Sequence, residues 1–210
     1  MSAQADVIEL AARQARPAAS GAGPAPVRII VGYGFWIFLL SDIILFSALF
    51  ATYAVLRGET AGGPSAHELF ELRHAGIETL ALLLSSYTCG LGVLAMEQRR
   101  MSAFNLCCAL TFLLGATFLS LEVSEFAGLL ARGAGPSRSA FLSAFFSLVG
   151  LHGAHVTVGL LWLVFLMAQT ARRGPLDFVR RRTLCFSLFW HALDIIWVAL
   201  LTLVYLMGAR

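Results

Sequence analysis

Apolar residues occupy most of this chain in long uninterrupted runs. The runs cover approximately residues 33–56, 76–96, 103–124, 140–169 and 184–207. Each run reaches the roughly 20 residues that an α-helix needs to cross a ~30 Å hydrocarbon core. None shows the alternation of polar and apolar residues that is typical of barrel strands. The pattern therefore predicts an all-α integral membrane protein built as a bundle of five transmembrane helices.

The amino-terminal segment has a different character from the five runs. Residues 1–28 are rich in Ala, Pro and Gly, and the stretch from Pro17 to Pro26 is incompatible with a helix interior. No apolar core of a signal peptide precedes residue 29. We therefore expect residues 1–28 to form a flexible cytoplasmic tail, followed by a membrane domain over residues 29–210.

The orientation of the bundle follows from the arginines that flank the spans. Ten arginines lie in the amino-terminal tail and in the second and fourth loops, whereas five lie on the opposite side. Cytoplasmic loops carry an excess of basic residues. We therefore expect a cytoplasmic amino terminus and a periplasmic carboxyl terminus.

Composition excludes several classes of protein. Hydrophobic residues make up 59% of the chain and charged residues 13%, whereas a soluble domain is about 25% charged. The net charge of +3 comes from scattered arginines without a basic face, which argues against nucleic-acid binding. The four cysteines form no CxxC pair and are expected to be small buried hydrophobic residues.

Ionisable side chains inside the spans form a layer in the inner half of the membrane. At ~1.5 Å rise per residue, they lie roughly 8 to 15 Å above the inner boundary. The layer contains Asp42 of the first span, His152 and His155 of the fourth, and His191 and Asp194 of the fifth. Such residues are costly in lipid and call for an explanation. We expect His191 and Asp194 to meet His152 or His155.

The residues alone leave several interpretations of this layer open. Two facing histidines could hold a haem, and histidines with Asp194 could hold a metal ion. Acidic residues and histidines in series could conduct protons. The remaining interpretation is a buried network of interhelical hydrogen bonds that holds the bundle together.

A second polar group lies near the outer ends of the spans. It comprises Glu78, Glu122, Glu125, Arg132 and Arg138. One interpretation is a set of ion pairs at the membrane interface. The other is a contact with lipid headgroups or with a partner subunit at the outer surface.

Four short segments in the second half of the chain carry a family resemblance. The segment His152 to Gly159 reads HGAHVTVG, and Trp190 to Trp197 reads WHALDIIW. Ser124 to Phe126 reads SEF, and VYLMG follows at Val204 to Gly208. In their order along the chain, which begins with SEF, they resemble the motifs of subunit III of the haem–copper respiratory oxidases, over residues 33–208.

Other segments indicate the branch of that family. The stretches from Phe35 to Leu56, from Thr60 to Pro64 (TAGGP) and from Gly135 to Phe146 (GPSRSAFLSAFF) resemble the cytochrome bo-type ubiquinol oxidase. Subunit III of cytochrome c oxidases typically has seven spans. In the bo-type branch the two missing spans are supplied by the large catalytic subunit.

The resemblance implies a role without a redox centre in this chain. The haems and copper would lie in subunit I of a proton-pumping complex that oxidises ubiquinol and reduces oxygen to water. This chain would pack mainly on subunit I, accompany subunits II and IV, and hold phospholipids in the inner membrane of a bacterium. Asp42, His152, His155, His191 and Asp194 would then form a buried network, with neither catalytic nor metal-binding residues.

The resemblance also singles out Glu97. The family sometimes carries a carboxylate at the inner end of this span, where it could take part in proton uptake. An ion pair with Arg99 or Arg100 at the helix end is the alternative. For the whole chain, the alternatives are an accessory subunit of a cytochrome c oxidase or nitric oxide reductase, and a free-standing channel or transporter.

Overall fold

The computed structural model describes residues 27–62, 72–173 and 177–208, and every regular element in these ranges is helical. The helices are α1 Val27–Leu56, α2 Leu72–Glu97, α3 Met101–Ala131, α4 Ala140–Arg173 and α5 Asp177–Leu200. The chain continues from α5 into a π-helical segment, Leu201–Leu206.

Five helices in the described part of the chain are long and apolar enough to cross a membrane. This confirms the prediction of an all-helical chain with five spans. The helices are longer than the apolar runs: α3 continues to Ala131, although the apolar run was expected to end at residue 124. An apolar run stops at the first polar residues, whereas the hydrogen bonds of a helix continue through them.

The predicted tail lies almost wholly outside the described residues. Its last two residues, 27 and 28, belong to α1. The contacts divide the chain into two compact units, Met1–Gly34 and Phe35–Arg210. In the first unit, the described residues are the opening turns of α1.

The second unit is organised around the mutual packing of α2 to α5. Trp190 of α5 is fully buried, and its indole Nε1 donates to Ser85 Oγ of α2 at 3.0 Å. A Cβ added at Gly115 of α3 would lie 3.0 Å from the Trp190 ring, and one at Gly159 of α4 would lie 2.8 Å from it. Glycine at these two positions therefore allows the ring to lie directly against two helix backbones.

Helix α1 contacts α4 through aromatic side chains. Phe35 packs edge-on against Trp162 with ring centroids 5.9 Å apart, and Tyr53 lies 6.0 Å from Phe141. Of the α1 span only 11% is buried, against 44% of the α2, α4 and α5 spans. Most of the α1 surface is therefore left for lipid or for another subunit.

The π-helical segment extends the last span and sets the direction of its side chains. The Met207 N–H donates to the carbonyl of Thr202, five residues earlier, as π geometry requires. Within this segment Tyr205 is fully buried and donates its hydroxyl to Glu125 Oε2 of α3 at 3.0 Å.

Candidate functional site

The polar layer predicted within the spans separates into two sets. The first set joins α1 to α4, where Asp42 Oδ2 lies 4.0 Å from His155 Nε2. Both side chains are about one-fifth exposed, at 17% and 20%. The Phe46 ring packs against His155 with centroids 5.3 Å apart, which shields one side of the pair.

The second set joins α5 to α2 through a serine. His191 Nδ1 is 2.6 Å from Ser86 Oγ, and Asp194, one turn further along α5, has a buried Oδ1 without a hydrogen-bond partner. Sequence reasoning missed Ser86. The signal was present as two adjacent serines, Ser85 and Ser86, within an apolar run, and both bond to α5.

His152 belongs to neither set. It is fully buried, and neither ring nitrogen has a hydrogen-bond partner. Its neighbours are aromatic rings, with centroid distances of 5.8 Å to Phe118 and 5.3 Å to Trp197. The described residues contain no group of three or more His, Cys, Asp or Glu arranged to hold a metal ion.

The structure corrects the expected contact between the fourth and fifth spans. Among the described residues, His155 pairs with Asp42, and His191 bonds to Ser86 instead of His152 or His155, while Asp194 Oδ1 has no hydrogen-bond partner. The depth of a residue follows from its position along the helix. The partner also depends on how the helix is rotated about its axis, which depth does not fix.

The contribution of the Ser86–His191 hydrogen bond to the stability of the helix packing can be measured. We expect His191→Ala and Ser86→Ala each to lower the stability of the chain in its complex, with a coupling energy of about 0.6 kcal/mol and at most ~1.7 kcal/mol. The measurement is a double-mutant cycle on the thermal dissociation of this chain from the purified complex. Fully additive effects of the two substitutions would contradict the bond.

The acidic residues near the opposite end of the bundle lie inside the chain. Glu78 of α2 is 0% exposed and Glu122 of α3 is 3% exposed, while Glu125 is half-buried against Tyr205. This corrects the expected surface contact for Glu78 and Glu122, because a buried side chain cannot meet a headgroup or a partner.

The two arginines predicted for the same group do face outward. Arg132 and Arg138 are exposed in the loop between α3 and α4. Their contact with lipid or with another subunit stays a prediction, which their exposure allows.

Glu97 is the last residue of α2 and is exposed. Arg99, with a left-handed φ of 58°, closes the tight turn to α3. In the part of the chain that the structure describes, Glu97 pairs with neither Arg99 nor Arg100. The ion pair at the helix end, the alternative interpretation of Glu97, is therefore not formed. The Glu97 carboxylate is exposed at this end of α2.

An apolar groove runs between α1 and α5. Its volume is about 370 Å³. It is lined by Trp36, Phe46, Phe50, Leu188, His191 and Ile195, among others. His191 is the ionisable side chain of this lining, and its Nδ1 is already engaged by Ser86. The chemistry of the groove suits a hydrocarbon chain.

Comparison with known proteins agrees with the fold and with the motifs. Residues 14–209 match the family model described as cytochrome c oxidase subunit III. The chain is 52% identical to cytochrome bo(3) ubiquinol oxidase subunit 3 of Pseudomonas aeruginosa, over 84% of this chain and 85% of that protein.

Two relatives from Bacillus widen the comparison. The quinol oxidase subunit 3 of Bacillus subtilis is 45% identical over 83% of this chain and 86% of its own length. The cytochrome c oxidase subunit 3 of Bacillus sp. PS3 is 44% identical over 83% of this chain and 84% of its own length. The resemblance found in the sequence motifs is thereby confirmed, and the chain belongs to the cytochrome c oxidase subunit III family.

Proposed function

We propose that this chain is the third subunit of a bo-type ubiquinol oxidase, and that it carries no catalytic centre of its own. The observation that carries the proposal is the 52% identity to a subunit of that name over most of both chains. Quinol oxidation, oxygen reduction and proton pumping would belong to the complex as a whole. The haems and copper would reside in subunit I.

The role of the chain in that complex is structural. The α2 to α5 group forms a self-contained core, held by Trp190 and by the bonds from α5 to the serines of α2. α1 leaves most of its surface uncovered. We assign this uncovered surface to subunit I and to phospholipid, and the groove between α1 and α5 to an acyl chain. Subunits II and IV complete the assembly.

The polar residues serve the same role. Asp42 with His155 fixes α1 to α4, and His191 with Ser86 fixes α5 to α2. His152 fills an aromatic cage without a hydrogen-bond partner, so its role is packing. Glu97 remains a candidate for an inner-surface carboxylate near a proton entry point.

The proposal is tested by isolating the complex through a tag on this chain. We expect the eluate to contain haem, copper and ubiquinol oxidase activity, because the partner subunits would remain attached. After the chain is stripped from its partners, the haem absorbance should stay with them. Haem that follows the isolated chain, or an eluate without quinol oxidase activity, would contradict the proposal.

A cytochrome c oxidase is the second candidate, favoured by the 44% identical relative from Bacillus sp. PS3. The two candidates differ in the electron donor. Turnover of the isolated complex with reduced cytochrome c, and none with ubiquinol, would select the cytochrome c oxidase.

The orientation gives a separate prediction. Ten arginines lie on the amino-terminal side of the spans and five on the other, so the amino terminus should be cytoplasmic in the inner membrane. A reporter fused after Arg210 should report a periplasmic location. A reporter fused at residue 98 should report a cytoplasmic location. The reverse pattern would overturn this orientation.

A further inference from the structure

The apolar groove between α1 and α5 contains a polar side chain that a hydrocarbon chain does not satisfy. The volume of the groove, about 370 Å³, falls within the roughly 300–1,000 Å³ of sites for small molecules. Its walls are mainly apolar and aromatic, and His191 of α5 is the ionisable residue among them. Ser47 also lines the groove, but its hydroxyl donates to the carbonyl of Ile43 in its own helix. The hydrogen bonding of His191 is therefore the feature that needs an account.

One nitrogen of the His191 ring is engaged and the other is available. Nδ1 lies 2.6 Å from Ser86 Oγ. Nε2 has no hydrogen-bond partner among the described residues, and it is not enclosed by the protein. A Cβ added at Gly90 of α2 would lie 4.0 Å from Nε2, so glycine leaves this side of the ring uncovered. A ring that lines the groove thus carries an accessible nitrogen without a partner.

The position of His191 along α5 places this nitrogen well inside the hydrocarbon core. His191 follows Leu184, the first residue of the fifth apolar run, by seven residues, and it precedes Leu206 by fifteen. At ~1.5 Å rise per residue these separations are about 10 and 22 Å. The ester groups of a phospholipid stay in the interfacial region outside the ~30 Å core. A phospholipid would therefore bring only its acyl chain to the depth of Nε2.

We propose that the groove between α1 and α5 is a binding site for an isoprenoid quinone, with the quinone ring at His191. The tail of such a molecule is a hydrocarbon, which suits the apolar walls. Its ring is uncharged, so it can enter the hydrocarbon core together with the tail. If Nε2 carries a proton, it donates to a quinone carbonyl, and if it does not, it accepts from a quinol hydroxyl.

This site rests on the function proposed above, since a bo-type oxidase uses ubiquinol. It also refines the occupant of the groove. An acyl chain fills the same walls but leaves Nε2 unpaired, and an unpaired polar atom in hydrocarbon is costly. A quinone therefore displaces an acyl chain from the groove, whereas electron transfer stays with the partner subunits.

Photolabelling of the complex isolated through this chain tests the site. The probe is a ubiquinone with an azido group on the ring and an isoprenoid tail, and the labelled peptides are identified by mass spectrometry. We expect label on the α1 and α5 peptides of this chain, suppressed by excess ubiquinone. Label confined to the partner subunits would overturn the site. Quinol turnover is recorded on the same preparation, because its absence would overturn the proposed function independently of the labelling.

A groove-filling variant tests the location of the label. Ala192→Leu adds bulk to the lining of the groove and should abolish the labelling of α1 and α5. Ala48→Leu is the matched control, because Ala48 is exposed on α1 outside the lining, and it should leave the labelling unchanged. Equal labelling in the two variants would overturn the site.

A second pair of variants tests the contact with the ring nitrogen. His191→Phe keeps a ring but removes Nε2, and it should raise the probe concentration for half-maximal labelling about five- to tenfold. It also removes the bond to Ser86, so Ser86→Ala is its control, which keeps Nε2 and should be labelled like the wild type. The same half-maximal concentration in both variants would overturn the contact. A phospholipid that copurifies with the wild type, is lost in Ala192→Leu and is not displaced by ubiquinone would overturn the proposal in favour of a lipid site.

Discussion

Replacing Trp190 with alanine should produce the largest loss of stability among single substitutions in this chain. The indole is fully buried and touches α3 and α4 at glycine positions, and it donates to Ser85 of α2. Alanine would leave a cavity where four helices meet, and such a truncation costs about 3 to 5 kcal/mol. We expect the chain to dissociate from its complex at a clearly lower temperature, measured by heating followed by size-exclusion chromatography.

Trp190→Phe is the control for that experiment. It keeps a ring between the helices but removes the N–H that donates to Ser85. Ser85 still donates to the carbonyl of Leu82, so its hydroxyl is not left unsatisfied. The loss should therefore be smaller than for alanine. Equal losses for the two variants would show that the hydrogen bond, and not the packing, dominates the contribution of Trp190.

Gly159→Ala should have the second largest effect, through overcrowding. The added methyl would lie 2.8 Å from the Trp190 ring and 3.1 Å from the Phe189 ring, both of which are rigid. Overpacking of this kind costs about 1 to 3 kcal/mol. The measurement is again the temperature at which the chain leaves the complex.

Gly150→Ala provides a matched control on the same helix. A Cβ at Gly150 would meet only Phe126 Cε2 at 3.6 Å, which is ordinary van der Waals contact. This variant should be neutral or slightly stabilising, since alanine favours helix over glycine. The double variant with Gly159→Ala and Trp190→Phe should lose less stability than the sum of the two single losses, because the smaller phenyl ring leaves space for the added methyl group. A Gly159→Ala variant as stable as Gly150→Ala would contradict the close packing.

The spans were predictable from the sequence because the solvent fixes them. A hydrocarbon core demands about 20 apolar residues per helix, and the runs meet that demand almost independently of tertiary structure. The ends of the helices were harder to predict from the sequence. α5 begins at Asp177, among arginines that a hydropathy pattern assigns to a loop.

The partners of the polar residues were not predictable in the same way. Position along a helix gives the depth of His191 and His155, and the two were correctly expected to have partners on other helices. Their partners, Ser86 and Asp42, depend on helix rotation and on neighbour order. Hydroxyl groups such as Ser86 are also inconspicuous in a span, because serine can bond to its own helix backbone.

Glu78 and Glu122 show the same limit. The sequence places Glu78 and Glu122 near the ends of their spans, where a polar residue is expected to face the interface. Both are buried, and Glu122 lies against Gly153 of α4, where the missing side chain allows a carboxyl group to lie on a helix backbone. The fourth helix contains several glycines, and the sequence alone does not indicate which of them lies against a carboxyl group of a neighbouring helix.

In the π-helical segment Leu201–Leu206, the number of residues determines the direction in which the side chains at the end of the last span point. A π turn holds more residues than an α turn, so deleting one residue here would allow the backbone to close into ordinary α geometry with its hydrogen bonds kept. The same deletion would rotate Tyr205 relative to Trp197 and carry its hydroxyl away from Glu125. In the evolution of this chain, substitutions in the segment are therefore easier to accommodate than a change in its length.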